Sequence, residues 1–169
     1  MEQSESDRLA RRDRQLGYGL AFPLTMPGLD LARDIEFVET EHGRDLDLVH
    51  GLDNLGQALS VALTTLRGSN VFNTEFGFDG LNALAEPIEP VLARERVRIG
   101  VIKVLDADPR VHRILDVNLN DGRLDPRGPD DDAHRAALRA SRALSVHVQF
   151  QTVAGDQMAV RLGELPIDV

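Results

Sequence analysis

The hydrophobic period of this chain changes at Asp108-Pro109-Arg110, and that change limits the folds open to it. Upstream, apolar residues recur at helical spacing; downstream they alternate with polar residues, as in a half-buried strand, at Leu115, Val117 and Leu119. Proline ends a helix because it fixes φ and lacks an N–H, and arginine offers a planar fork to a carboxylate. The pattern predicts a helix-to-strand corner, with Arg110 in an ion pair either inside the chain or across an interface.

The composition and net charge argue against several classes of function. The 169 residues fit one domain. The net charge of −9 argues against a nucleic-acid partner, and the aromatic content of 4% leaves little for stacking on bases or sugars. There is no cysteine for a disulfide, a thiolate nucleophile or a cysteine zinc site. No run approaches the ~20 apolar residues of a membrane span, and residues 1–15 do not resemble a signal peptide, so we expect a soluble protein made in the cytoplasm.

The N-terminal half predicts one hairpin and one helix. Residues 34–39 and 45–49 alternate on either side of a turn containing Gly43. Apolar residues from Leu52 to Leu66 then share one helical face, with Gly68 at the expected C-cap. Residues 1–14 are polar and are predicted to be a flexible arm or a short helix that orders on a partner. Residues 16–24 are interrupted by Gly and Pro, which predicts an irregular segment.

A second principal helix is expected to begin close to Pro87, after a short helix near residues 79–84. It has two apolar stripes, one formed by Ile88, Val91, Leu92, Ile99 and Ile102 and the other by Val97, Val101, Val104 and Leu105. A helix that is apolar on two sides is either buried in its own core or clamped between that core and another chain, and we favour the second. The β-branched run 97–104 leaves a strand as the alternative.

Two further alternating segments follow, joined by a turn at residues 154–156; their apolar positions are Val146, Val148, Phe150, Met158, Val160 and Leu162. With the strand after Arg110 they predict a three-stranded sheet. Residues 123–142, with two prolines and an Asp triplet, are expected to be an inserted surface element. The predicted fold is α+β, with an N-terminal hairpin, two main helices and a C-terminal antiparallel three-stranded sheet, as a single domain over residues 15–169.

Several short motifs resemble one protein family. They are Gly19 with Phe22-Pro23, Leu63-Thr64-Thr65 before a Gly turn, Phe76-Gly77, and Asp108-Pro109-Arg110. In this order the chain is similar to the sheath-initiator family of contractile injection systems, the tail-lysozyme-related baseplate wedge proteins of phages and their relatives in type VI and extracellular machines. Asp108 stands where that family usually has Glu, and the insertion at 123–142 is longer than a simple hairpin.

The resemblance implies a structural protein rather than an enzyme, without cofactor, present in six copies per particle. Its helices would join other wedge proteins around the central tube, its terminal strands would be offered to sheath subunits, and tube or hub proteins are further candidate partners. The implied interface residues are Phe76, Gly77, Asp108, Pro109, Arg110, Val146, Val148, Phe150, Met158, Val160 and Leu162. The resemblance does not distinguish a phage tail from a type VI or an extracellular injection system.

Two other functions stay open. A muramidase needs two carboxylates ~5–10 Å apart in a cleft, one of them protonated. Glu75, Glu86 and Glu89 are the candidates, although Glu86 and Glu89 flank prolines at a helix start, where carboxylates commonly stabilise the helix dipole. The third function is a general α+β protein-binding module.

Other patterns carry two interpretations each. His112 and His147 lie in or beside predicted strands where they could approach each other, but without metal-binding spacing we expect solvated strand residues. Phe72, Phe76 and Phe78 are expected to plug the core, with an exposed recognition cluster as the alternative. Two interpretations are equally open for the basic residues of this helix: they form a patch that faces an acidic partner, or they lie on a solvated flank. The residues are Arg94, Arg96, Arg98 and Lys103.

Overall fold

The computed structural model describes residues 5–25, 33–80, 82, 86, 89–120 and 143–166. In chain order the elements are α1 (Glu5–Leu16), β1 (Tyr18–Leu20), β2 (Phe37–Thr40), β3 (Gly43–Leu46), β4 (Leu48–His50), α2 (Gly51–Thr64), α3 (Pro90–Asp106), β5 (Val111–Asn120), β6 (Ala143–Thr152) and β7 (Gln157–Pro166). The α+β class, the hairpin, the two main helices and the terminal sheet are confirmed. The insertion at 123–142 and half of the short helix near 79–84 lie outside the described residues.

The described part of the N-terminal segment is helical, one of the two alternatives that the sequence left open. Residues 5–16 form α1, with Glu5 and Asp7 in its first turn and Arg14 in its last, a charge order that suits the helix dipole. Leu16 is almost fully buried and belongs to the core, and α1 packs against α2. Burial of this one leucine at the helix end anchors a segment whose composition alone indicated disorder.

Two small antiparallel ribbons follow. β1 pairs with β4, so part of the segment expected to be irregular is a short strand, and β2 pairs with β3 as the predicted hairpin. The Gln57 side chain extends the first ribbon, since its Nε2 donates to the Leu20 carbonyl at 2.7 Å and its Oε1 accepts from Phe22 N–H at 2.7 Å. One side-chain amide thus replaces a strand residue and joins this segment to α2.

Helix α2 ends earlier than predicted. Its C-cap is Thr65, in extended conformation, and Gly68 instead occupies a turn at φ +84° three residues later. The chain leaves the helix at Thr65 because the backbone of Thr65 and Arg67 pairs with Phe78, as Phe78 N–H donates to Thr65 O at 2.7 Å and Arg67 N–H to Phe78 O at 3.3 Å. This pairing closes the base of a loop over residues 66–78.

Helix α3 begins at Pro90, three residues after the expected start, with the proline in its first turn. The β-branched run is helical, not extended, and Gly100 has a packing role there: a Cβ at this position would lie 2.7 Å from the Phe78 ring. Phe78 is fully buried between the loop and α3. None of the helices in the described part of the chain is long and apolar enough to cross a membrane.

The terminal sheet has the order β5-β6-β7, all antiparallel. Its inner face and the inner faces of α2 and α3 form one core, which includes Leu55, Leu59, Val97, Val101 and Phe150. One predicted core position is wrong. A register shift between Ile114 and Asp116 turns Leu115 outward, where it is 42% exposed, and Ile114 packs against the core in its place.

Candidate interaction surfaces

The helix-to-strand corner is held by Arg110. Its Nε and Nη2 donate to the two carboxylate oxygens of Asp108 at 2.9 and 2.6 Å, and its backbone N–H donates to Asp108 Oδ1 at 2.9 Å. Nη1 donates to the Leu16 carbonyl at 3.3 Å, placing a cation at the C-terminus of α1. Both side chains of the ion pair are mostly buried. The ion pair of Arg110 is therefore inside the chain, and it joins the corner to the end of the first helix.

The same contacts set the charge of Asp108. Burial favours the neutral carboxyl, but the hydrogen bonds and the positive charge of Arg110 outweigh burial, so the pKa of Asp108 lies below its ordinary value of 3.8. Asp108 is ionised at neutral pH. A general acid needs the opposite shift.

The Phe-Gly turn has a strict backbone requirement. Gly77 has φ +110°, and a Cβ there would lie 2.6 Å from the Thr65 carbonyl oxygen. The three phenylalanines have different environments: Phe78 is in the core as predicted, Phe76 is half-buried, and Phe72 is fully exposed, which contradicts its expected role as a core plug. The Asn70 side chain accepts from the N–H groups of Phe72 and Asn73, so a local turn holds Phe72 outward.

Both motifs line one groove. A cleft of about 600 Å³ lies between α2, α3 and the loop, and its walls include Phe76, Gly77, Asp108, Pro109 and Arg110. Two motifs more than thirty positions apart are thus brought together. The apolar lining includes small side chains, those of Ala58 and Ala62 on α2 and of Ala107 directly after α3.

Helix α3 has one buried and one exposed apolar stripe. Val97, Val101 and Leu105 are buried, whereas residues of the other predicted stripe face outward, with Ile99 50% and Val91 58% exposed. The outward stripe of the described residues is Val91, Leu92, Ile99 and Ile102. Two of the basic residues have partners in the chain, since Arg96 pairs with Glu86 and Arg98 with Glu95. These pairs favour the solvated-flank interpretation for Arg96 and Arg98.

The terminal strands place their side chains and their edges differently. Val146, Val148 and Phe150 on the central strand and Val160 on β7 are buried, and Met158 packs against them. The Leu162 side chain lies outside the described part. These side chains form the chain's own core, so an interface on this sheet would use backbone edges. Within the described residues β5 and β7 each pair with a strand on one side only.

The candidate catalytic and metal groups are dispersed. Glu75 is ion-paired with Arg67 and 80% exposed, Glu86 is paired with Arg96, and Glu89 is the exposed N-cap residue of α3. His147 lies opposite Asn118, so at about 3.3 Å per residue His112 is roughly 15 Å or more away along the sheet. The two histidines do not approach each other, and no cluster of three or more metal-ligating side chains occurs in the described residues.

Sequence reasoning missed the two polar side chains on the inner side of α2. Asn54 is buried and donates from Nδ2 to the Leu16 carbonyl at 3.1 Å, beside the hydrogen bond from Arg110. Gln57 binds the β1 extension. The signal was present, because an amide at the edge of an otherwise apolar helix face usually has a specific hydrogen-bond partner when buried.

No protein-family model and no curated protein matches this sequence. Among solved structures the chain is similar to a Geobacter sulfurreducens protein whose crystal structure is described as that of a candidate tail lysozyme. The TM-score is 0.51 at 15% identity, and the match covers 68% of this chain and 89% of the other. At this identity the match shows a shared fold.

Proposed function

We propose that the protein is a structural, non-enzymatic baseplate component of a phage tail or related contractile particle, which starts sheath assembly by offering the edge of β7 to a sheath subunit. The observation that carries this proposal is a ten-residue terminal strand that is paired with β6 on one side and has no strand on the other within the described residues. The fold shared with a candidate tail lysozyme and the motif resemblance support the same setting.

An unpaired edge is a strong association site. Every second residue along it points its backbone N–H and C=O away from the sheet. These groups would lose their hydrogen bonds to water on burial, and an added strand replaces those bonds. Of the two sheet edges we favour β7, because β5 follows the corner directly and packs more extensively against a helix than β7 does. Because β6 is central and its inward side chains are buried, a partner reaches the sheet through its edge.

The outward stripe of α3 supplies a second surface for the same role. Val91, Leu92, Ile99 and Ile102 form an exposed apolar row on a helix whose other side is in the core. Helices of other wedge proteins, or of the tube or hub, could cover that row by ridges-into-grooves packing. The protein would then join the baseplate through α3 and the sheath through β7, in six copies as the resemblance implies.

The description of the structural neighbour as a candidate lysozyme makes a muramidase the second candidate. The groove does contain carboxylates, those of Glu75, Asp79 and Asp108. However, Glu75 is largely exposed and forms an ion pair with Arg67. Burial raises the pKa of Asp108, but the hydrogen bonds and charge of Arg110 lower it by more, so the net pKa is below its ordinary value. The environment of Asp108 therefore does not favour the protonated carboxyl that glycoside hydrolysis requires.

The test is nucleation of sheath polymerisation. Purified sheath subunits of the same particle are followed by light scattering and electron microscopy with and without the protein. The proposal predicts a shorter lag and more tubes, each with the protein at one end. An unchanged lag with no bound protein would contradict it. Solubilisation of peptidoglycan by the wild type that a Glu75→Gln variant loses would favour the enzyme instead.

A further inference from the structure

Two surfaces of opposite charge are unused by the roles above. The first is the β2–β3 hairpin with its flanks, residues 34–47, called here the acidic hairpin. It carries six carboxylates against the single cation of Arg44, in a segment whose residues are almost all exposed. The hairpin strands pair with each other and, among the described residues, with no third strand. A two-stranded ribbon is marginal alone, so its exposed position favours a partner.

The acidic hairpin also presents apolar surface. Phe37 is 50% exposed and lies directly opposite Leu46, which is 40% exposed. Arg44 is the one cation of the hairpin, and its guanidinium lies over the Phe37 ring, 4.8 Å from the ring centroid. The remaining carboxylates, Glu36 and Glu41 among them, form no ion pair with a described residue. An apolar pair surrounded by unpaired carboxylates matches a basic partner with some apolar area.

The second surface is the arginine pocket, a cavity of about 370 Å³ between α1 and the β6–β7 turn. Arg8, Arg11 and Arg12 line it, with Leu9 beside them and Asp156 as its acidic side chain. Arg12 Nε is 3.5 Å from Asp13 Oδ1, yet that nitrogen is buried without a hydrogen bond. No ion pair within the described residues engages Arg8 or Arg11. The guanidinium groups of Arg8 and Arg11 are thus available to an anionic partner.

We infer that the acidic hairpin of one copy docks in the arginine pocket of the next copy. The two surfaces are complementary in charge, and no ion pair joins them within one chain among the described residues. Phe37 and Leu46 would cover the partly exposed Leu9 while carboxylates reach the guanidinium groups. Since the two patches differ, the contact is head-to-tail and generates a ring when the rotation closes. The inference goes beyond the proposed function, because it requires neither sheath nor wedge proteins.

The test is self-association of the purified full chain, measured by analytical ultracentrifugation at low salt and at about 0.5 M salt, where surface charges are screened. Two charge-reversed variants are compared. Arg8→Glu/Arg11→Glu alters the pocket. Glu36→Lys/Glu41→Lys/Asp45→Lys alters the hairpin, and changes its six carboxylates and one cation to three carboxylates and four cations. Glu39 is avoided because it lies opposite Arg44 and its replacement would strain the hairpin. Arg113→Glu/Arg161→Glu, exposed on the terminal sheet, matches the pocket variant in charge. Circular dichroism confirms that each variant is folded.

We expect wild type and the matched control to form species heavier than the 18.6 kDa monomer at low salt and to dissociate at high salt. Each test variant alone should shift to the monomer. Mixing the two restores opposite charges across every contact and should restore the assembly, a result that general loss of charge or stability would not give. A wild type that stays monomeric at low salt, or a mixture that does not reassemble, overturns the inference. The assay contains no sheath protein, so its outcome is independent of the sheath-nucleation test.

Discussion

Arg110 Nη1 donates a hydrogen bond to the carbonyl oxygen of Leu16, 94 residues earlier in the chain, at a distance of 3.3 Å. The same guanidinium donates hydrogen bonds to both carboxylate oxygens of Asp108. One side chain therefore fixes the angle at which α3 turns into β5 and the position of α1 against that corner. The terminal sheet is oriented by this junction.

Replacing Arg110 should destabilise the protein markedly. Arg110→Ala leaves the mostly buried Asp108 carboxylate without its fork and the Leu16 carbonyl with one donor fewer. We expect a loss of about 2–3 kcal/mol in the free energy of unfolding, measured by urea denaturation. Arg113→Ala, an exposed arginine on β5, is the matched control and should change little. Equal losses in the two variants would contradict a special role for the corner.

The lowered pKa of Asp108 predicts a pH dependence. In the unfolded chain this carboxyl titrates near 3.8 and in the folded chain at a lower pH, so the folded state binds fewer protons. Its contribution to stability is present above pH 3.8 and is lost as the pH falls through the lowered pKa. Urea midpoints of wild type and Asp108→Asn, compared from about pH 6 to about pH 2, should converge at the acid end. A constant difference across that range would exclude this linkage.

Two glycines allow a matched test of the Phe-Gly turn. Gly77 and Gly43 have nearly the same φ, +110° and +109°, but a Cβ meets the Thr65 carbonyl at 2.6 Å in the first and nothing within 4 Å in the second. Gly43→Ala should cost about 1 kcal/mol of backbone strain, and Gly77→Ala clearly more, because the loop base must also move. Thermal and urea unfolding of both variants measure the excess. Similar costs would show that the loop base adapts easily.

The two faces of α3 predict opposite effects of the same substitution. Ile99→Asp lies on the exposed stripe and should change the free energy of unfolding by less than about 1 kcal/mol. Val101→Asp buries a charge in the core and should prevent folding. If the outward stripe joins the baseplate, folded Ile99→Asp protein should also be missing from purified particles. Its normal incorporation would remove the stripe from the proposed interface.

Local periodicity was sufficient for much of this fold. The alternation in β6 and β7 identified their apolar face. The two stripes of α3 identified its two apolar sides, although the pattern did not show which of them faces the core. The predictions from sequence failed where contacts between residues distant in the chain determine the local structure. Gly68 was placed at a helix end because the pairing of Thr65 with Phe78 has no local sequence signal, and Leu115 was placed inward because the register shift in β5 was not visible.

The sequence singled out two motifs but not the arrangement that joins them. Phe76-Gly77 and Asp108-Pro109-Arg110 line one groove. The hydrogen bond from Arg110 to the Leu16 carbonyl could not be predicted, because every residue has a backbone carbonyl and nothing in the sequence marks this one as the acceptor. The terminal strands were named as an interface through their apolar side chains. Those of them that the structure describes pack in the core, because alternate residues share one face of the sheet and that face lies against the helices. Alternation does not show which strands form the edges of the sheet.

Residue-resolved hydrogen exchange on the isotopically labelled protein tests the central claim most directly. In the free protein, the β7 amides that point away from β6 should exchange quickly, while β6 amides, paired on both sides, should be protected. On binding sheath subunits, those outward β7 amides should become protected and the β6 amides should stay unchanged. Protection that appears elsewhere while the β7 edge continues to exchange quickly would contradict sheath nucleation through this strand.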